Sequence, residues 1–156
     1  CSSDLVVTLG CSKNLVDAEC MISILKESGY ILTQDAPGAD VIVINTCGFI
    51  EAAKAEAIDS ILEHAEYKVP NGSVRYLIVT GCLSQRYASE IIKDLPEVDA
   101  VLGTGHYHDI VRTIESLYSS VTGDKIRHVS DEPGGMLHLR THREISTPSY
   151  AWLKIA

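Results

Sequence analysis

Short β-branched apolar runs alternate with longer segments of helical period along the first 120 residues. LVVTLG before Cys11, VIVINT before Cys47 and YLIVTG before Cys82 are bounded runs of the kind that form strands buried on both faces of a parallel sheet. They predict strands over 5–9, 41–45 and 74–79, joined by shorter ones over 30–33 and 98–102. Between them, apolar positions recur with the 3.6-residue period of a helix. Residues 14–28 put Leu15, Ala18, Ile22 and Leu25 on one face, with Gly29 placed to cap the carboxyl end. Residues 50–67 turn Ile50, Ala53, Ala57, Ile58, Ile61 and Leu62 inward. A third helix is expected from Ser84 as its N-cap to about residue 95. A fourth, over 106–119, turns Ile110, Ile114 and Leu117 inward. The order β-α-β-β-α-β-α-β-α predicts an α/β fold: a five-stranded parallel sheet of flavodoxin-like type, with helices on both faces. The pattern does not set the strand order.

After Gly123 the pattern lapses. Residues 124–148 are polar, with Asp131-Glu132-Pro133-Gly134-Gly135 as a breaker. An apolar, strand-like run resumes over 150–155. The expected organisation is a domain over 1–122, a linker over 123–148 and the opening of a further domain at 149–156. The chain opens on Cys1 rather than Met, from which a trimmed start is expected.

Composition narrows the class. The chain has 156 residues and 46% hydrophobic content, enough for one domain with a real core. No apolar stretch reaches the eighteen or so residues of a membrane helix, so no membrane partner is expected. Charge is uneven. Residues 1–122 carry eight basic and seventeen acidic groups; 123–156 carry five and four. So acidic a domain repels phosphates, which argues against direct nucleic-acid binding and for a basic protein partner. Five cysteines without disulfide-like crowding point to a reducing, cytoplasmic setting.

Three of those cysteines change the picture. Cys11, Cys47 and Cys82 each follow an apolar run directly, at the carboxyl ends of their strands, where open α/β sheets put their ligands. Parallel neighbours lie about 5 Å apart, so the thiols can converge. No Cys-x-x-Cys pair of structural-zinc type is present. Three soft thiolates favour an iron–sulfur cluster with three protein ligands, one iron of a four-iron cluster keeping an open position. The alternative is buried structural cysteine. Gly10, Gly48 and Gly81 flank the three, either as tight turns or as sites where backbone amides approach an anionic group. Helix starts after each cysteine, and Lys13, favour thiolate. Cys20 and Cys1 are given no ligand role.

Other motifs carry less. Gly103-x-Gly105 lacks the third glycine of a dinucleotide fingerprint. Arg86 follows Cys82 too closely for a phosphatase loop. His106 with His108, and His138 with His142, read as surface histidines. No Ser-His-Asp arrangement is apparent.

The blocks LGCSKNLVDAE, NTCGFIEAAKAEAI and GCLSQRY resemble, in order and spacing, the amino-terminal domain of the radical-SAM methylthiotransferases. The resemblance covers 9–87 and extends to 118. TPSYAWLKIA looks like that family's lead-in to its radical-SAM domain. Ser-Lys-Asn after Cys11, Gly-Phe-Ile after Cys47 and Leu-x-x-Arg-Tyr after Cys82 look like the branch that modifies a ribosomal protein, rather than the tRNA branch.

The resemblance implies that Cys11, Cys47 and Cys82 hold an auxiliary 4Fe–4S cluster. A second 4Fe–4S cluster and S-adenosylmethionine would belong to a radical-SAM domain in cis. The implied reaction transfers a methylthio group to the β-carbon of an aspartate in small-subunit ribosomal protein twelve, and this piece alone would be inactive. Asn14, Asn45 and Thr46 are candidates to tune the cluster by hydrogen bonding, and fit equally as turn and cap residues. Two alternatives stand beside this: the tRNA branch, acting on an adenosine, and a non-catalytic flavodoxin-like module that binds zinc or a partner. A flavin domain is disfavoured, because the first strand's turn holds cysteine where a phosphate loop needs hydroxyls and glycine.

Overall fold

The computed structural model describes residues 3–48, 50–68, 72–120, 123–130, 142–147 and 149–153. Strand β1 (Ser3–Thr8) leads into helix α1 (Ser12–Glu27), and β2 is only Ile31–Leu32. Then follow β3 (Val41–Thr46), α2 (Glu51–Ala65), β4 (Tyr76–Gly81), α3 (Cys82–Asp94), β5 (Ala100–Leu102), α4 (Ile110–Ser119) and β6 (Ile126–His128). Every pairing is parallel, in the order β2-β1-β3-β4-β5-β6. The expected α/β sheet of flavodoxin-like type is present, and the sequence reaches its neighbours in opposite directions from β1 and β3. That reversal opens a crevice at the carboxyl ends of β1 and β3, where such sheets bind ligands.

β3 explains why the sheet is buried on both faces. Ile42 and Ile44 pack with Ala57, Ile61, Leu83 and Ile91 on the α2–α3 side. Val41 and Val43 pack with Ala18, Met21, Ile110 and Ile114 on the α1–α4 side. The period of two sends alternate side chains to opposite layers, and all six residues of β3 are buried.

Several expectations need correction. The sheet has six strands, not five: β6 falls in the stretch read as a linker and pairs with β5 through Ala100 and Ile126. Its short, half-buried run offers too few residues for a period to show. Part of the same stretch lies against α1. There the Glu144 amide donates to Ser23 Oγ (2.7 Å), the Ser146 amide donates to Glu19 Oε1 (2.8 Å), and Arg143 Nε lies 3.2 Å from Glu19 Oε2.

On α1 the buried face is broader than the predicted stripe. Val16, Cys20 and Met21 are buried, while Leu15 and Ile22 are only half-buried, because the helix meets both the sheet and α4. On α2 the inward face is Ala57, Ser60, Ile61 and Ala65. Ile50 and Leu62 are exposed, since small residues let that helix sit close to the sheet along a different line. Ser84 is no N-cap: α3 starts at Cys82, with Gly81 as the cap residue. Tyr150–Leu153 form no strand; the rest of that run, the 131–135 breaker and His138 lie outside the described residues.

Candidate functional site

Cys11, Cys47 and Cys82 all lie at one edge. Cys47 is the residue after β3, and Cys82 is the residue after β4. The last rung between those strands pairs Thr46 with Gly81, so the two cysteines are in step. Cys11 lies three residues beyond β1, whose final rung pairs Thr8 with Asn45, and the Leu9 amide continues the ladder to Asn45 O at 2.9 Å. The thiols differ in access: Cys11 is exposed, Cys82 half-buried and Cys47 buried.

Close backbone approach holds the three turns together. A side chain at Gly10 would place its Cβ 2.3 Å from Cys47 Cβ and 3.1 Å from Cys47 Sγ, so the Cys11 turn rests directly on Cys47. At Gly81 a Cβ would meet Thr46 O at 2.3 Å and Asn45 Oδ1 at 2.7 Å. A Cβ at Gly48 would lie 2.8 Å from Leu83 Cα, beside Cys82. Gly10 and Gly81 also have φ of +98° and +101°, a region other L-residues avoid. These glycines are needed both for conformation and for space.

Asn14 sits between all three turns. It lies in the first turn of α1 and is buried. Its Nδ2 donates to Leu9 O (3.1 Å), in the turn before Cys11, and to Thr46 O (2.8 Å), beside Cys47. Its Oδ1 accepts from the Cys82 thiol at 3.7 Å. Asn45 Nδ2 donates to Asn14 O at 2.6 Å, and Thr46 Oγ1 donates to Thr80 O at 2.6 Å. All three polar residues singled out in the sequence therefore tie cysteine-bearing segments to one another. The sequence marked Asn14 by its place after Cys11; it gave no sign of which carbonyls it would reach.

At Cys82 burial outweighs the thiolate-favouring cation expected from the sequence. Burial pushes the Cys82 thiol up; the Lys13 ammonium opposes this, while Cys47, Cys11 and Asp17 push further upward. The other two cysteines are thus within electrostatic reach of Cys82, and Lys13 supplies positive charge to the group. Asp17, buried on α1, is a neighbour that the strand-and-cysteine pattern did not mark. Among the described residues no three Cys, His, Asp or Glu side chains converge to hold a single metal ion.

The same edge continues over β5 and β6, where histidines replace cysteines. His106 Nδ1 lies 3.1 Å from Asp109 Oδ2 and its Nε2 lies 2.9 Å from Ser130 Oγ. His108 Nε2 is 3.6 Å from the same Asp109 oxygen. Gln85 fastens this end, donating to Ser130 O (2.8 Å) and accepting from the Thr104 amide (3.1 Å). No sequence signal tied Gln85 or Ser130 to His106, because their meeting depends on β6. Cys20 is buried under α4 among Met21, Tyr107 and Ile110, remote in packing from the three thiols.

The profile of the family described as "Uncharacterized protein family UPF0004" matches residues 5–103, which takes in all three cysteines. Among curated proteins, a "Ribosomal protein uS12 methylthiotransferase RimO" of Caldicellulosiruptor saccharolyticus is 51% identical over 151 residues, covering 96% of this chain and 33% of the relative. Proteins of the same name from Acetivibrio thermocellus and Clostridioides difficile are 48% and 49% identical, covering 97% and 95% of this chain and 34% and 32% of theirs. The chain spans about a third of the length of these curated relatives.

Proposed function

This chain belongs to the UPF0004 family, and from that premise we propose that it is the amino-terminal, cluster-holding part of a radical-SAM methylthiotransferase. The proposed acceptor of the intact protein is the β-carbon of an aspartate in ribosomal protein uS12, and the proposed site is cytoplasmic. Among the described residues no helix is long and apolar enough to cross a membrane.

The observation that carries this reading is Asn14, hydrogen-bonded at once to the turn before Cys11, to the carbonyl beside Cys47 and to the Cys82 thiol. A residue spent on aligning three thiols fits a ligand set better than three structural cysteines.

In this reading Cys11, Cys47 and Cys82 are the protein ligands of a 4Fe–4S cluster. When bound, such a cluster supplies an iron free of protein ligands, at which a sulfur atom can be held for transfer. The chain's own residues do the positioning. Gly10, Gly48 and Gly81 let the three turns close on one another. Asn14, Asn45 and Thr46 fix the strand ends that aim the thiols. Lys13 offsets negative charge beside Cys82. Exposed Cys11 leaves one side open, as delivery to a macromolecular acceptor requires.

A second cluster and S-adenosylmethionine are assigned to the part of the protein outside this third. The proposed boundaries are a cluster domain that takes in β6 (Ile126–His128), a connector after it, and the start of a radical-SAM domain at 149–156.

Mass spectrometry of uS12 after incubation with the intact, reconstituted protein tests this directly. A methylthio group on an aspartate is expected with the parent and absent with Cys47→Ala. Modification of a tRNA adenosine instead of uS12 would move the protein to the tRNA branch. Iron-free protein with stoichiometric zinc would favour the binding-module reading.

A further inference from the structure

The α2–α3 face carries apolar surface that the core leaves unused. Ile50 is 59% exposed, Leu62 is 46% exposed and Ile58 is half-buried. With Lys54 these form a row at four-residue steps along one side of α2. Of that row Lys54 and Ile58 line a groove of about 410 Å³, with Leu83, Tyr87, Glu90, Ile91 and Asp94 of α3 across from them. That volume is in the range of a built ligand site and suits inserted side chains.

Two features specify its occupant. Leu83, in its lining, directly follows Cys82, so the groove begins beside the cysteine edge. Its rim is acidic. Glu90 and Asp94 line it; Glu56, Asp59 and Glu63 line a separate pocket on the other side of α2. The cation lining it, Lys54, is held over the Tyr87 ring at 4.4 Å; Arg86 and Lys93 of α3 are exposed but not part of the lining. An acidic rim repels nucleic acid and anionic membranes, and disfavours a second acidic copy.

We propose that this groove docks a basic segment of a partner protein. An apolar side chain of that segment enters between Ile58 and Ile91, and its Lys or Arg residues meet Glu90 and Asp94. The proposal rests on the reading above and says where the basic ribosomal protein is held: along α2 and α3, leading its acceptor residue to Cys82.

The test uses the intact protein and purified uS12. Binding and methylthio transfer are measured for the parent, for Glu90→Lys with Asp94→Lys, for Ile58→Glu, and for Glu115→Lys on α4 as a control. The two groove variants are expected to weaken affinity about tenfold or more, with the salt dependence reduced for the charge reversal. Iron content and the rate at saturating uS12 are expected to hold, and the control to stay within about twofold. Unchanged affinity in the groove variants, or equal weakening in the control, overturns the proposal. Hydrogen exchange over residues 50–62 must slow on adding uS12; protection already complete without it means the intact chain covers the groove itself, which also overturns it. A parent that transfers to uS12 while the groove variants match it defeats this proposal alone. A parent that binds uS12 through the groove without transferring to it defeats the proposed function alone.

Discussion

One edge of the sheet ends in cysteines over β1, β3 and β4 and in histidines over β5 and β6. Both halves place these residues at or just past the carboxyl ends of parallel strands, with helix starts following β1, β3, β4 and β5. They differ in where the hydrogen bonds go. In the histidine half the functional atoms are consumed: His106 uses both ring nitrogens on Asp109 and Ser130, and Asp109 also meets His108. In the cysteine half the hydrogen bonds run mainly between supports, through Asn14, Asn45 and Thr46, and the bond that reaches a thiol, from Cys82 to Asn14 Oδ1, is long at 3.7 Å. A cluster of chemically capable side chains is better placed to bind when its neighbours are satisfied mostly by each other.

That contrast can be broken by mutation, most severely at the turns. Gly81→Val forces a Cβ to within 2.3 Å of Thr46 O at a φ of +101°. It is expected to cost about 3 kcal/mol or more, seen as a collapse of the melting temperature by circular dichroism. Asn14→Ala leaves one buried and one part-buried carbonyl without their donor and should cost about 2–3 kcal/mol. It should also lower iron retention well below the parent's; a stable protein with full iron would remove Asn14 from its aligning role.

His106→Ala severs the links to Asp109 and Ser130 for about 1 kcal/mol. Iron content should not change, and a loss would show that the two halves are one site. Cys11→Ala is the mildest for the fold, within about 0.5 kcal/mol because the side chain is exposed. In sharp contrast, it should abolish normal cluster loading, read from the visible absorbance after anaerobic reconstitution.

Sequence made the central sheet legible because β3 and β4 are apolar on both faces and end abruptly at Cys47 and Cys82. The same abruptness marked the three thiols. What escaped depended on tertiary partners. β6 is three residues long and exists by pairing with β5, so no period announces it. On α2 the sequence placed Ala57 and Ile61 inward correctly, but apolar bulk at Ile50 and Leu62 outweighed the small Ser60 and Ala65 that in fact approach the sheet. Ser84 looked like a cap, but Gly81 takes the positive φ that lets α3 begin on the cysteine itself. Asn14 was legible as a neighbour of Cys11 and illegible as a neighbour of Cys82, since the second relation needs β1, β3 and β4 side by side.

The most direct test is iron and sulfide content after anaerobic reconstitution of this domain beside its Cys11→Ala, Cys47→Ala and Cys82→Ala variants, with melting temperatures recorded for each. About four irons and four sulfides in the parent, lost from every variant while the fold persists, is the predicted result. Iron uptake indifferent to the three cysteines, or none at all in a folded parent, would contradict a three-thiolate cluster at this edge.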